Sequence, residues 1–163
     1  MSYLNKTKID NLLKKSECAI IQDEDDKYYI SDKYCIWIDH NAEFFGEDKY
    51  ISKKQEVPEK DRESIKELMN HLLDSYLHKY DYSNVETETK CKLVSNSRVV
   101  KKCVLLKTED WHKLIEEKYY NTFKKGCKFL ISKENWLVFV TDKDGLLIGV
   151  ISSIFENDWH IEI

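Results

Sequence analysis

Histidines and carboxylates at helical spacing are the first place to look for chemistry in this 163-residue chain. His71, Asp74 and His78 stand at i, i+3 and i+7, with Glu67 one turn earlier, and imidazole and carboxylate are ordinary zinc ligands. A rise of about 1.5 Å per residue separates His71 from His78 by roughly 10 Å along the axis, too far to share one ion. With no H-E-x-x-H present, a solvated helix flank is the expectation and no metal is assigned. The run Asp23, Glu24, Asp25, Asp26 invites calcium but lacks the glycine and distal glutamate of a full EF-hand loop, so it reads as a hairpin turn. Asp39 and His40 are adjacent and would point to opposite faces of a strand, which rules out an acid–base couple by themselves. Five scattered cysteines (Cys18, Cys35, Cys91, Cys103 and Cys127) without a C-x-x-C point to a reducing, cytoplasmic setting and a packing role. Only Cys127, beside Gly126 and between two lysines, has a setting that invites a reactive thiol. Its neighbourhood Lys124-Lys-Gly-Cys127 matches Lys15-Ser-Glu-Cys18, which argues for shared packing instead. Four glycines are too few for a phosphate-cradling loop alongside the rest of a fold. The sequence therefore assigns no catalytic residue, no metal ligand and no cofactor.

Binding is what remains. Asp23, Glu24, Asp25, Asp26, Asp142 and Asp144 lie in turns and are the candidates for meeting a basic, nucleic-acid-binding partner protein. Lysine–aromatic neighbours (Lys27-Tyr28-Tyr29, Lys33-Tyr34, Lys118-Tyr119-Tyr120, Lys128-Phe129) have the composition of stacking platforms for single strands. Strand tyrosines are also ordinary half-buried residues, and nearby acids neutralise each patch. The net charge is −4, and only Arg62 and Arg98 among 26 basic residues carry the fork best suited to phosphate. Heavy use of Lys, Ile, Asn and Tyr over Arg, Pro, Ala and Gly is that of AT-rich coding, as in low-GC bacteria and their phages.

The elements that must carry these residues read as a single α+β domain over 1–163. Two units, about 5–39 and 99–155, each run helix, strand, strand, strand. The first has a helix with Ile9, Leu12 and Leu13, then apolar runs at 18–21, 28–30 and 34–38. The second has a helix from Glu109 to Phe123, capped by Thr108 and carrying Trp111, Leu114, Ile115 and Tyr119. Apolar runs at 127–131, 136–140 and 146–155 follow, with Asp144-Gly145 as a tight turn. Short connections imply antiparallel pairing. Between the units, an insertion over about 57–97 opens at Pro58 with a long amphipathic helix. Ile65, Leu68, Met69, Leu72, Leu73, Tyr76 and Leu77 form its stripe. Residues 40–56 read as a loop or short strand, 81–97 as a polar connection or irregular edge, and the tail after Glu156 as a strand or ragged end. No apolar run reaches membrane-spanning length, and with a polar, charged start no signal peptide is expected.

The repeated unit, ending in Leu137-Val-Phe-Val-Thr-Asp-Lys-Asp-Gly-Leu-Leu-Ile-Gly-Val-Ile151, resembles the domain of DNA sliding clamps. It is similar in particular to short clamp-like proteins carried by phages of low-GC bacteria. Ala19-Ile-Ile21 and Lys27-Tyr-Tyr-Ile-Ser-Asp-Lys-Tyr34 extend the pattern, which covers 5–39 and 99–155. A clamp ring has six such domains, so the resemblance implies that encircling DNA would take six copies of this chain. His112, Lys113, Glu116, Glu117 and Asn121, outward on the expected last helix, are mixed in sign and ill suited to phosphates. The preferred expectation is a non-catalytic intracellular binding protein, encoded by a phage or mobile element. It would act by protein–protein contact on a replication or host-defence nuclease component, with self-association an open possibility. A DNA-binding processivity factor is the alternative, and a hydrolase or nuclease with an unrecognised site the second.

Overall fold

The computed structural model describes residues 3–14, 19–22, 27–32, 34–40, 59–155 and 159–163. Helix α1 (Lys6–Leu13) begins where Asn5 accepts a hydrogen bond from the Lys8 backbone N–H at 3.2 Å, and it buries Ile9 and Leu13. Strands β1 (Ala19–Gln22), β2 (Tyr28–Ser31) and β3 (Cys35–Asp39) follow as an antiparallel meander. Helix α2 (Glu59–Lys79) leads to β4 (Ser83–Asn84), β5 (Thr87–Ser95), β6 (Val100–Lys107) and β7 (His112–Glu116). A single helical turn, α3 (Glu117–Tyr120), precedes the second meander, β8 (Lys128–Ile131), β9 (Leu137–Thr141) and β10 (Leu147–Ser152), and then β11 (Trp159–Glu162).

The two meanders join edge to edge. β3 pairs with β10, Trp37 opposite Gly149, giving a seven-stranded sheet of order β1-β2-β3-β10-β9-β8-β4. The remaining strands form a four-stranded sheet, β11-β5-β6-β7. The main core lies between them: Tyr28, Ile30, Trp37, Val138, Val140 and Ile151 from the large sheet meet Val104, Leu106 and Ile115 from the small one. The large sheet's opposite face buries Tyr29, Ile38, Phe139 and Val150 with Met69 and Leu73 of α2, and Tyr29 donates its hydroxyl to Asn70 at 3.1 Å. Strand β9 is buried at every position because both its faces are covered. Among the described residues no helix is long and apolar enough to cross a membrane.

The expected α+β class is corrected by this architecture, which is mostly β and built on two antiparallel sheets. The strands of both expected units form, but the units are not alike. The helix expected over 109–123 is strand β7 and then one helical turn. Trp111, Leu114, Ile115 and Tyr119 have helical spacing, yet Leu114 packs into a separate cluster with Cys91, Leu93 and Cys103 while Ile115 enters the main core. Only a strand sends neighbouring side chains to opposite sides. Thr108 accepts from the Asp110 and Trp111 N–H groups, so it closes a turn and starts no helix.

The expected long amphipathic helix is also corrected. Helical backbone spans Glu59–Lys79, but only Met69 and Leu73 are buried among its described side chains, and no continuous stripe is present there. Ile65, Leu68, Leu72, Tyr76 and Leu77 fall outside the described side chains, and Pro58 and residues 41–56 outside the described residues. The polar stretch 81–97 is no irregular edge: it holds β4 and the nine-residue β5. The tail is a strand, with β11 pairing with β5.

Candidate functional site

The residues singled out for metal or acid–base chemistry do not converge. Glu67, His71, Asp74 and His78 are all exposed on α2, and no cluster of three or more His, Cys, Asp or Glu able to hold a metal ion occurs among the described residues. Asp39 is buried at the end of β3, while a His40 ring nitrogen lies 2.8 Å from the Leu147 carbonyl oxygen, as an N–H donor would. Cys35, Cys91 and Cys103 are buried free thiols, and Cys18 lies outside the described residues. Cys127 is half-buried, but burial, with the carboxylates of Asp142 and Glu88 adding to it, pushes its thiol from the ordinary 9.0 up to about 12. A thiol held protonated is a poor nucleophile.

The acidic turn residues divide. Asp23, Glu24, Asp25 and Asp26 lie outside the described residues. Asp142 Oδ1 accepts the N–H groups of Asp144 and Leu146, each at 2.9 Å, so this carboxylate organises the β9–β10 turn. Asp144 is exposed on that turn. Of the lysine–aromatic pairs, Tyr28, Tyr29, Tyr119 and Phe129 are buried, and Tyr120 stacks on Phe129 at 5.3 Å. Tyr34 alone among these rings is exposed.

Tyr34 marks a groove that sequence reasoning missed. At the end of β9 and β10 away from the acidic turn, a groove of about 280 Å³ has Ile36, Leu137 and Val150 on its floor and Ser31, Asp32 and Ser152 on its walls. Tyr34 (49% exposed) and Trp136 (44%) stand on its rim. The rim is built, not incidental. Asp32 Oδ1 accepts from the Tyr34 and Cys35 N–H groups at 2.8 Å, and Tyr119 donates its hydroxyl to Oδ2 at 2.8 Å. Burial first, then Asp32, holds the Tyr119 hydroxyl well above the usual tyrosine range, so it remains a donor. Thr122 donates to the Tyr119 carbonyl at 2.6 Å and accepts from the Trp37 indole N–H at 2.8 Å. The Ser152 N–H donates to the Tyr34 carbonyl at 2.9 Å, tying the rim to β10. Tyr34 and Trp136 each open an apolar run read as strand, 34–38 and 136–140, and alternation alone did not tell which ring would stay outside.

A second surface has the opposite chemistry. Residues 89–107, most of the β5–β6 hairpin, hold six basic side chains (Lys90, Lys92, Arg98, Lys101, Lys102 and Lys107) and no acid. In a chain of net charge −4, this leaves −10 on the remainder. Lys92 and Lys102 are direct cross-strand partners and both are exposed. β7 leaves the sheet at Glu116, opposite Cys103, and beside it lies a cleft of about 440 Å³ lined by Lys101, Lys102, Glu116, Glu117, Lys118 and Asn121. Glu116 is shared by Lys101 at 3.1 Å and Lys118 at 3.3 Å. Comparison with protein-family models, curated proteins and solved structures finds no match to this chain, so its surfaces must be read from their own chemistry.

Proposed function

We propose that this chain is a non-catalytic binding protein that works by protein–protein contact, holding an apolar segment of a basic partner in the Tyr34–Trp136 groove. The observation that carries the reading is the pair of half-exposed rings standing over an apolar floor, the Tyr34 backbone held by Asp32, which Tyr119 in turn holds. Tyr and Trp are the side chains that most often anchor interfaces, since they bury large area at little rotamer entropy. Charge selects the partner: the chain outside residues 89–107 carries −10, which favours encounter with a cationic protein. A replication component or a host-defence nuclease has that character, because such proteins handle nucleic acid.

Affinity purification from host lysate tests this directly. The unaltered chain is expected to retain a discrete basic protein that a Tyr34→Ser, Trp136→Ser double variant loses while still unfolding cooperatively in urea. Equal retention by the double variant would remove the groove from the account, and no retained protein would remove the reading.

A further inference from the structure

We infer that the β5–β6 hairpin is a second binding surface, one that docks on the phosphodiester backbone of duplex nucleic acid. The first ground is charge segregation: six cations and no acid in residues 89–107 of an otherwise acidic chain. Folding could have spread these charges, but it sets Lys92 against Lys102 across the ladder, where like charges destabilise a sheet. By alternation they share the face whose Val104, Leu106 and Ile115 enter the core, at the end beyond it, with Lys90 diagonal to Lys102.

The second ground is the tip. Residues 96–100 are all exposed, and Ser95 closes the turn by accepting the Arg98 N–H at 2.9 Å. Arg98 sits there at φ 62, a left-handed conformation that glycine would adopt more cheaply. A guanidinium is thus held at the apex of a basic two-stranded ribbon, an element the DNA major groove admits. Acids do approach: Glu162 is the β11 partner of Lys92, and Glu117 lies 3.9 Å from Lys90. Among the described residues Lys92, Lys102, Lys107 and Arg98 make no ion pair. A duplex fits better than a single strand, because no exposed ring stands at the tip to stack a base and Lys101 covers Trp159 at 5.5 Å. Lysines outnumber arginine, so the contact is with backbone and largely indifferent to base sequence. This surface uses strands, not helices lining a ring, and lies on the other sheet from the groove.

Fluorescence anisotropy with a labelled duplex of about 20 base pairs tests it. Lys90, Lys92, Arg98 and Lys102 would neutralise roughly four phosphates, so log affinity against log salt should fall with a slope of about −3.6 between about 50 and 200 mM. Lys92→Gln with Lys102→Gln should weaken binding about 10- to 100-fold and take about 1.8 from the slope. The same variant should not lower the thermal midpoint, because it removes a repulsive pair, so lost binding is not lost folding. The Tyr34→Ser, Trp136→Ser variant should bind duplex unchanged, which separates failure here from failure of the groove reading. No binding at about 50 mM salt, equal binding by the lysine variant, or preference for polyglutamate or a single strand would each overturn the proposal.

Discussion

β9 of the seven-stranded sheet is buried at all of its positions, whereas β5 of the four-stranded sheet runs exposed, exposed, half-buried, exposed, then alternates inward and outward to Ser95. The large sheet is covered on both faces, by the small sheet on one and by Met69 and Leu73 of α2 on the other. The small sheet extends past the core at its β5–β6 turn, and there its core-side face carries Lys92 and Lys102. Apolar strands buried on two sides provide stability and have little freedom to vary. β5 is buried on one side only, at Cys91 and Leu93, and its other side carries Lys90 and Lys92. The hairpin turns make the same contrast. Both close with a hydrogen bond three residues back and a residue at positive φ, Gly145 at 86° in the large sheet and Arg98 at 62° in the small one. One turn takes the residue that relieves backbone strain, and the other keeps a charged side chain in spite of it.

The largest test of this contrast is core truncation. Phe139→Ala, at the fully buried centre of β9 and in edge contact with Tyr82 at 4.8 Å, should cost about 3–5 kcal/mol in urea unfolding. Leu93→Ala in the small sheet should cost less, roughly 2–3 kcal/mol. If the two costs were reversed, the large sheet would not be the stabilising one. Next is Gly149→Ala in the β3–β10 seam, where an added Cβ would overlap the Phe123 ring and press on the Ile36 carbonyl at 3.1 Å. Overpacking of this kind should cost about 1–3 kcal/mol, and a Phe123→Leu background should recover part of it in a double-mutant cycle.

A graded alkaline effect should follow. Burial, the main cause in each case, pushes the thiols of Cys103 and Cys127 from 9.0 up to about 12. A pKa raised by folding means the native state holds its proton more tightly than the unfolded chain. That stability is complete below about pH 9 and is lost as pH climbs toward 12. Urea midpoints should therefore fall between about pH 8 and about pH 11, and Cys103→Val should flatten the fall; an unchanged slope would mean the thiol is not the cause. The smallest effect is a gain. Arg98→Gly should raise stability by about 1 kcal/mol by relieving the left-handed backbone, while weakening duplex binding. A variant that gained stability and kept full binding would show that the tip arginine touches no phosphate.

Much of the large sheet was legible in the sequence. Tyr28–Ile30, Cys35–Ile38 and Leu137–Val140 are apolar runs bounded by charged turns, and all became strands. Strand β5 was not, although Thr87-Glu-Thr-Lys-Cys-Lys-Leu-Val alternates with period two, because its inward side holds small residues such as Thr89 and Cys91 and its polarity reads as a loop. β7 misled in the other direction: Leu114 and Ile115 fit a helix until two separate clusters claim them. The groove was invisible for a related reason. Leu137 and Val150 meet Ile36 only once β3 and β10 pair across more than a hundred residues, and no local pattern encodes that pairing.

By itself, the sequence determined which segments become strands in the large sheet and where its turns fall, because apolar runs and turn residues act on their neighbours along the chain. It also determined the segregation of charge in 89–107. The tertiary structure decided which face of each strand meets which core and which aromatic rings remain outside. It also decided that an eight-residue helix in one unit has only a single turn as its counterpart in the other. The physical reason is that burial depends on partners distant in sequence, and clusters on the two faces of one sheet, claiming Leu114 and Ile115 separately, override a local helical preference.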